Sequence, residues 1–200
     1  MRCLYCDKQI EKISFKSLFL KEDRLCTDCR NKLPLKRRKI KIQEMEVETF
    51  YDYDGMFKSL LLQYKECLDE ALKDVFLYEI ADYINLRYMG YQICFVPSSQ
   101  KKLEYRGFEH LKMMFEEVKL KELEGLRMKD ELCQEGMNLK ERMKMLDNFV
   151  YEGKQGKRVL LVDDVLTSGS TLLGAYRCLI LSFKTVKVLS VAYKNNLSQE

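Results

Sequence analysis

Arg158-Val159-Leu160-Leu161-Val162-Asp163-Asp164-Val165-Leu166-Thr167-Ser168-Gly169-Ser170-Thr171 decides how this chain folds. The stretch opens as a short apolar run rich in branched residues, the pattern of a strand covered on both faces in a parallel sheet. Two adjacent carboxylates, Asp163 and Asp164, end the run, and a loop of hydroxyls around one glycine follows. Leu172, Leu173, Tyr176, Leu179, Ile180 and Phe183 then recur at helical spacing. The reading is strand, polar loop, helix.

Each part suits a phosphorylated sugar. Gly169 tolerates backbone angles that other residues avoid, so the loop can turn its N–H groups inward as an anion nest. Thr167, Ser168, Ser170 and Thr171 add hydroxyl donors, and the helix N-terminus behind them favours negative charge. Asp163 and Asp164 are acceptors for vicinal hydroxyls such as those of a ribose. Ligands in open α/β sheets bind at this end of the strands. A Walker loop is excluded, because no Gly-Lys-Ser/Thr follows the required spacing.

Outward from this stretch, composition sets the bounds. The chain has 200 residues, 46% apolar and 33% charged, with a net charge of +4. That suits one α/β domain with a small appendage. No apolar run approaches a membrane span, so no membrane insertion is expected. Charge and cysteine begin at once, unlike a signal peptide, and a cytoplasmic location is expected. A chain this long can bury a core without disulfide staples.

Cys3-Leu4-Tyr5-Cys6 and Cys26-Thr27-Asp28-Cys29 are two C-x-x-C knuckles nineteen residues apart. Four thiolates at this spacing suit structural, tetrahedral zinc. A redox pair would need only one knuckle, opening a helix. Between the knuckles, Ile13, Phe15, Leu18, Phe19 and Leu20 form a candidate apolar patch. From Arg30 to Lys41 come seven Lys or Arg and no acid: Arg30, Lys32, Lys36, Arg37, Arg38, Lys39 and Lys41. Two readings stand for this run, a solvated linker or a grip on nucleic-acid phosphates.

From Met45 the pattern is that of a domain. Met45 to Tyr53 alternates as a strand, and Asp54-Gly55 turns the chain. Met56 to Tyr88 reads as one or two amphipathic helices broken near Cys67. Tyr91 to Val96 is a short buried strand ending at Pro97. Phe108, Leu111, Met114, Phe115 and Val118 make a helix face. Leu126 to Cys133 reads as a short strand, and Asn138 to Leu146 as a basic helix with Lys140, Arg142 and Lys144. Thr185 to Tyr193 closes the sheet. Strand alternating with helix predicts an α/β fold with a doubly wound, mostly parallel sheet. The expected division is a zinc ribbon with basic linker over 1–42 and the α/β domain over 43–200. Cys67, Cys94, Cys133 and Cys178 are expected as buried free thiols.

The stretch at 159–171 resembles the ribose-5-phosphate motif of the type I phosphoribosyltransferases: apolar strand, two acids, a variable pair (Val165, Leu166), then Thr-Thr/Ser-Gly-x-Thr. A zinc ribbon joined to such a domain resembles the ComF family of late-competence proteins. Tyr64-Lys65 and Asp69 are similar to the family's Tyr/Phe-Lys-x-x-Gly-Asp, with Leu68 in place of the glycine. Val96-Pro97 and Arg106-Gly107-Phe108 are similar to its Val-Pro and Arg-Gly-Phe-Asn-Gln segments, with Glu109-His110 in place of Asn-Gln. Gln134 and Glu141-Arg142 are similar to a later Gln…Glu-Arg element. The resemblance implies cytoplasmic proteins needed to take single-stranded DNA into the cell during natural transformation. A competence helicase and a DNA-loading protein are the implied partners. The resemblance leaves open whether the fold catalyses a transfer; the alternative function is a phosphoribosyltransferase acting on a small base or amine in nucleotide metabolism.

The residues allow a matching chemistry with phosphoribosyl diphosphate. Loss of diphosphate creates an oxocarbenium-like centre, so positioning and charge stabilisation dominate. Magnesium would bridge diphosphate and hydroxyls while keeping several waters. Asp163 and Asp164 would hold the ribose, and Thr167 to Thr171 the 5-phosphate. Pro97, Ser98, Ser99, Gln100, Lys101 and Lys102 follow a strand end and are the candidate cradle for the diphosphate, with Arg106 and Lys65 closing over it. His110 is expected as a surface or capping side chain rather than a base.

Overall fold

Branched, apolar sequence and complete burial coincide at Val159, Leu160, Leu161 and Val162, each 0% exposed. The computed structural model describes residues 1–10, 22–128 and 148–195. Its strands are β1 Arg38–Ile42, β2 Met45–Asp52, β3 Gln92–Phe95, β4 Lys121–Glu122, β5 Leu126–Met128, β6 Phe149–Tyr151, β7 Gly156–Leu166 and β8 Phe183–Tyr193. Its α-helices are α1 Thr27–Arg30, α2 Gly55–Glu66, α3 Lys73–Phe76, α4 Ala81–Arg87, α5 Gln100–Arg106, α6 His110–Met114 and α7 Ser170–Leu179.

Six strands form one sheet in the order β1-β2-β8-β7-β3-β4. Every pairing is parallel except the β1–β2 hairpin, in which Ile42 faces Met45. This is the mostly parallel α/β sheet expected. Strand β7 sits inside it, with Val162 opposite Phe95 on one side and Leu189 on the other. Burial on both faces explains why its sequence is continuous rather than alternating. Helix α7 buries Leu172, Leu173, Ala175 and Leu179. Helix α2 buries Met56, Phe57, Leu60, Leu61 and Tyr64, a single stripe at helical period. Burying each such side chain contributes roughly 1.5–3 kcal/mol.

The structure differs from the sequence reading in several places. Strand β7 does not stop at the two acids but runs through them to Leu166, because Val165 and Leu166 pair with Ala192 and Tyr193. Strand β8 lies inside the sheet between β2 and β7, so it does not close an edge. Its residues Val188 to Ala192 are buried without a break. The second half of the basic run is not a linker: Arg38–Ile42 is the edge strand β1, with Ile40 and Ile42 at period two. The break near Cys67 holds, since α2 ends at Glu66, but Cys67 itself is exposed. Cys94 is buried as expected and Cys178 half-buried. Leu126–Met128 starts the expected strand and pairs antiparallel with β6. The patch at Ile13 to Leu20, Cys133, Gln134 and the basic helix from Asn138 to Leu146 with Glu141-Arg142 lie outside the described residues.

Candidate functional site

The C-terminal ends of β7 and β3 place two loops side by side. After β7, Gly169 takes a left-handed conformation (φ 75°) and forms the N-cap of α7. A Cβ there would come 2.4 Å from Ile42 Cδ1, so the loop is held closely on its inner side. Ser168 and Ser170 share a hydroxyl hydrogen bond of 3.0 Å on the exposed side. The hydroxyl loop and the helix N-terminus therefore meet as the sequence suggests. After β3, Val96 N–H still donates to Val162, and Ser99 is the N-cap of α5. Lys101 and Lys102 thus lie in the first turn of a helix rather than in an open loop.

Because β7 continues through the acids, successive side chains leave opposite faces of the strand. Asp163 Oδ1 accepts the N–H of Asp164 (2.9 Å). Burial and the neighbouring Asp164 charge push its carboxyl up to about 8, with Lys65 and Lys102 pulling the other way. Asp164 is buried and accepts from two side chains, Lys65 Nζ and His110 Nε2 (2.7 Å). Burial raises its pKa, but His110 and Lys65 outweigh it and hold the carboxyl well below the usual range. Asp164 is an ionised group inside the protein; Asp163 is the half-buried one.

His110 overturns its expected surface role. It is 5% exposed, and its ring links α6 to β7. Arg106 Nη1 lies 3.3 Å from His110 Nδ1. A guanidinium can only donate, so Nδ1 accepts and the proton sits on Nε2, facing Asp164. Tyr64 Oη donates to the His110 carbonyl at 2.8 Å and fixes the start of α6. Burial lowers the His110 pKa, with Lys65 and Arg106 adding to this and Asp164 opposing it. Arg106 is buried and reaches Glu66 (3.0 Å). Its Nε has no partner among the described residues. The sequence signals were Arg106 and His110 at i, i+4 and the Tyr64-Lys65 pair, all on faces that converge only in the tertiary structure.

The four cysteines meet as expected. The Sγ atoms of Cys3, Cys6, Cys26 and Cys29 all lie within 4.8 Å of one another, with Cys6 and Cys26 3.7 Å apart. At a Zn–S length of about 2.3 Å, tetrahedral sulfurs stand about 3.8 Å apart, so the cluster fits zinc. Burial opposes ionisation of Cys3, but backbone N–H groups of Cys26, Cys6 and Tyr5 hold its thiol down at about 6. Cys3, Leu25, Cys26, Cys29 and Leu33 join the main core, and Arg30 donates to the Val75 carbonyl at the α3 surface.

The basic run is largely neutralised. Arg30 pairs with Asp23 (2.7 Å), Lys36 and Arg38 with Asp52, Arg37 with Glu48, and Lys39 with Glu46 (2.8 Å). Glu48 is buried and also accepts from Tyr83 and Tyr88. Arg37 therefore serves the fold. No helix is long and apolar enough to cross a membrane among the described residues.

No family model matches the chain. It is 25% identical over 199 residues to the competence protein ComFC of Streptococcus pneumoniae (strain ATCC BAA-255 / R6), covering 86% of this chain and 90% of that protein. It is likewise 25% identical over 224 residues to the competence protein ComFC of Bacillus subtilis (strain 168), covering 94% of this chain and 92% of that protein.

Proposed function

We propose that this chain, which is 25% identical to the two ComFC competence proteins, is a ComFC-like, cytoplasmic accessory protein for the uptake of single-stranded DNA in natural transformation. Its ligand is phosphoribosyl diphosphate or a related sugar phosphate. One observation carries the reading: a glycine-turned hydroxyl loop caps α7 directly after a strand holding two acids. Ser168, Ser170 and the N–H groups of the loop would bind the 5-phosphate. Asp163 Oδ2, with Oδ1 already used by the backbone, would accept a ribose hydroxyl. Asp164, braced by Lys65 and His110, would supply the fixed negative charge of the site. Lys102, which acts electrostatically on Asp163, would meet the diphosphate.

Among the described residues only the four cysteines group as three or more metal-ligand side chains. Magnesium would accordingly travel with the diphosphate, neutralising its charge and keeping several waters. Zinc would close the cysteine cluster and stabilise the N-terminal module without taking part in the chemistry. DNA, a helicase and a DNA-loading protein belong to the same proposal. Calorimetric titration with phosphoribosyl diphosphate and magnesium, with and without single-stranded DNA, tests it. Sugar-phosphate binding that DNA modulates supports the accessory role. Turnover with a small base or amine, unaffected by DNA, supports a metabolic transferase instead.

A further inference from the structure

A cavity of about 180 Å³ opens beside the end of β3, between α6 and the segment joining β4 to β5. Val96, Leu103, Leu111, Leu123 and Leu126 give it apolar walls. An aliphatic cavity of about 150 Å³ is enough to hold a benzene ring. The polar lining is uneven in sign. Glu109, Glu122 and Glu124 face one ammonium, that of Lys112. Lys112 is already shared between Glu109 (2.9 Å) and Glu122 (2.8 Å). Glu124 has no ion-pair partner among the described residues, and it sits exposed at the rim. Ser98 and His110 complete the polar lining, and both His110 ring nitrogens are already taken, by Arg106 and Asp164.

We propose that this cavity is a binding site for a ring-sized organic amine, its apolar ring between the leucines and its ammonium toward Glu124. An apolar slot whose rim carries, among the described residues, one carboxylate outside any ion pair favours a ligand of matching size and positive charge. An anion of the same shape would meet the Glu124 carboxylate while the Lys112 ammonium is already shared between Glu109 and Glu122, which disfavours it. His110 makes the cavity share a wall with the Asp164 network. The proposal needs neither sugar-phosphate nor DNA binding.

The chain contains one histidine, so the imidazole NMR signals report on this wall without ambiguity. The experiment titrates the full-length protein with benzylamine and with benzoate, in the absence of sugar phosphate. Benzylamine is expected to shift the His110 ring signals with saturation, and benzoate to bind at least tenfold more weakly. Leu123→Trp, which fills the cavity, should weaken benzylamine at least tenfold, and Glu124→Gln, which removes only the exposed rim charge, by roughly two- to fivefold. Circular dichroism confirms that each variant is folded, and Glu124→Gln keeps the test valid if Leu123→Trp is not. Equal shifts from benzylamine and benzoate, no shift from benzylamine, or unchanged benzylamine affinity in folded Glu124→Gln overturns the proposal.

Discussion

Replacing His110 tests the least expected part of the site. In His110→Leu the ring is lost at nearly constant bulk, Asp164 keeps only Lys65, and Arg106 loses an acceptor. A hydrogen bond to a charged group is worth about 1.5–3 kcal/mol, and its buried partners add to the cost when left unpaired. His110→Leu should therefore destabilise by at least about 2 kcal/mol. In a chain of this size each kcal/mol moves Tm by about 2–4 °C, so a drop of about 4–8 °C is expected. His110→Gln can still donate to Asp164 and accept from Arg106, and should cost less than half as much. The two variants also separate by pH. The folded pKa of His110 lies below 6.5, because burial, Lys65 and Arg106 outweigh Asp164. Protonation then favours the unfolded chain, and this contribution to stability is present above about pH 6.5 and is lost as pH falls toward the folded pKa. Against the parent, His110→Gln should gain relative stability between pH 7.5 and 5.5. Urea unfolding across that range is the assay. A His110→Leu variant as stable as the parent, or a flat difference curve for His110→Gln, refutes the buried network.

Elemental analysis should find one zinc per chain in protein purified without chelator, and Cys26→Ser/Cys29→Ser should abolish it; retained zinc places the ion elsewhere. Arg37→Ala should destabilise the fold by about 1–3 kcal/mol in denaturant unfolding, since it strips a partner from buried Glu48. Arg37→Ala/Arg38→Ala/Lys39→Ala should flatten the salt dependence of single-stranded DNA binding by no more than about one unit per lost contact; an unchanged slope removes this run from the DNA contacts. Thr171→Ala should weaken sugar-phosphate binding less than loss of the acids, because only a neutral hydroxyl is removed; a larger effect than Asp163→Asn would make the loop, not the acids, the main determinant.

Much of this architecture is readable from local pattern. Val159 to Val162 announce a doubly covered strand because burial on both faces leaves no polar alternation. Gly169 between hydroxyls announces the loop because few other residues take its positive φ. The cysteine spacing announces its own closure. What escaped depends on tertiary contact. His110 carries no local mark of burial; its partners Arg106 and Asp164, and the Lys65 that also pairs with Asp164, come from three separate elements. The basic run reads as a linker because seven cations hide the two isoleucines that alternate along β1, and because their acid partners on β2 are read as strand residues alone. The two acids look equivalent in sequence, whereas strand period places one inside the protein and leaves the other half-buried.

The central claim is that the acids of β7 and the loop after them bind a sugar phosphate. The most direct measurement is calorimetric affinity for phosphoribosyl diphosphate with magnesium, in the parent and in Asp163→Asn/Asp164→Asn. The Asp163 contact to a ribose hydroxyl and the fixed charge of Asp164 are both at stake, and a loss of about 1.4 kcal/mol is a factor of ten. The account predicts saturable binding by the parent and at least tenfold weaker binding by the folded double variant. Equal affinity in the two proteins, or no binding by the parent, contradicts it.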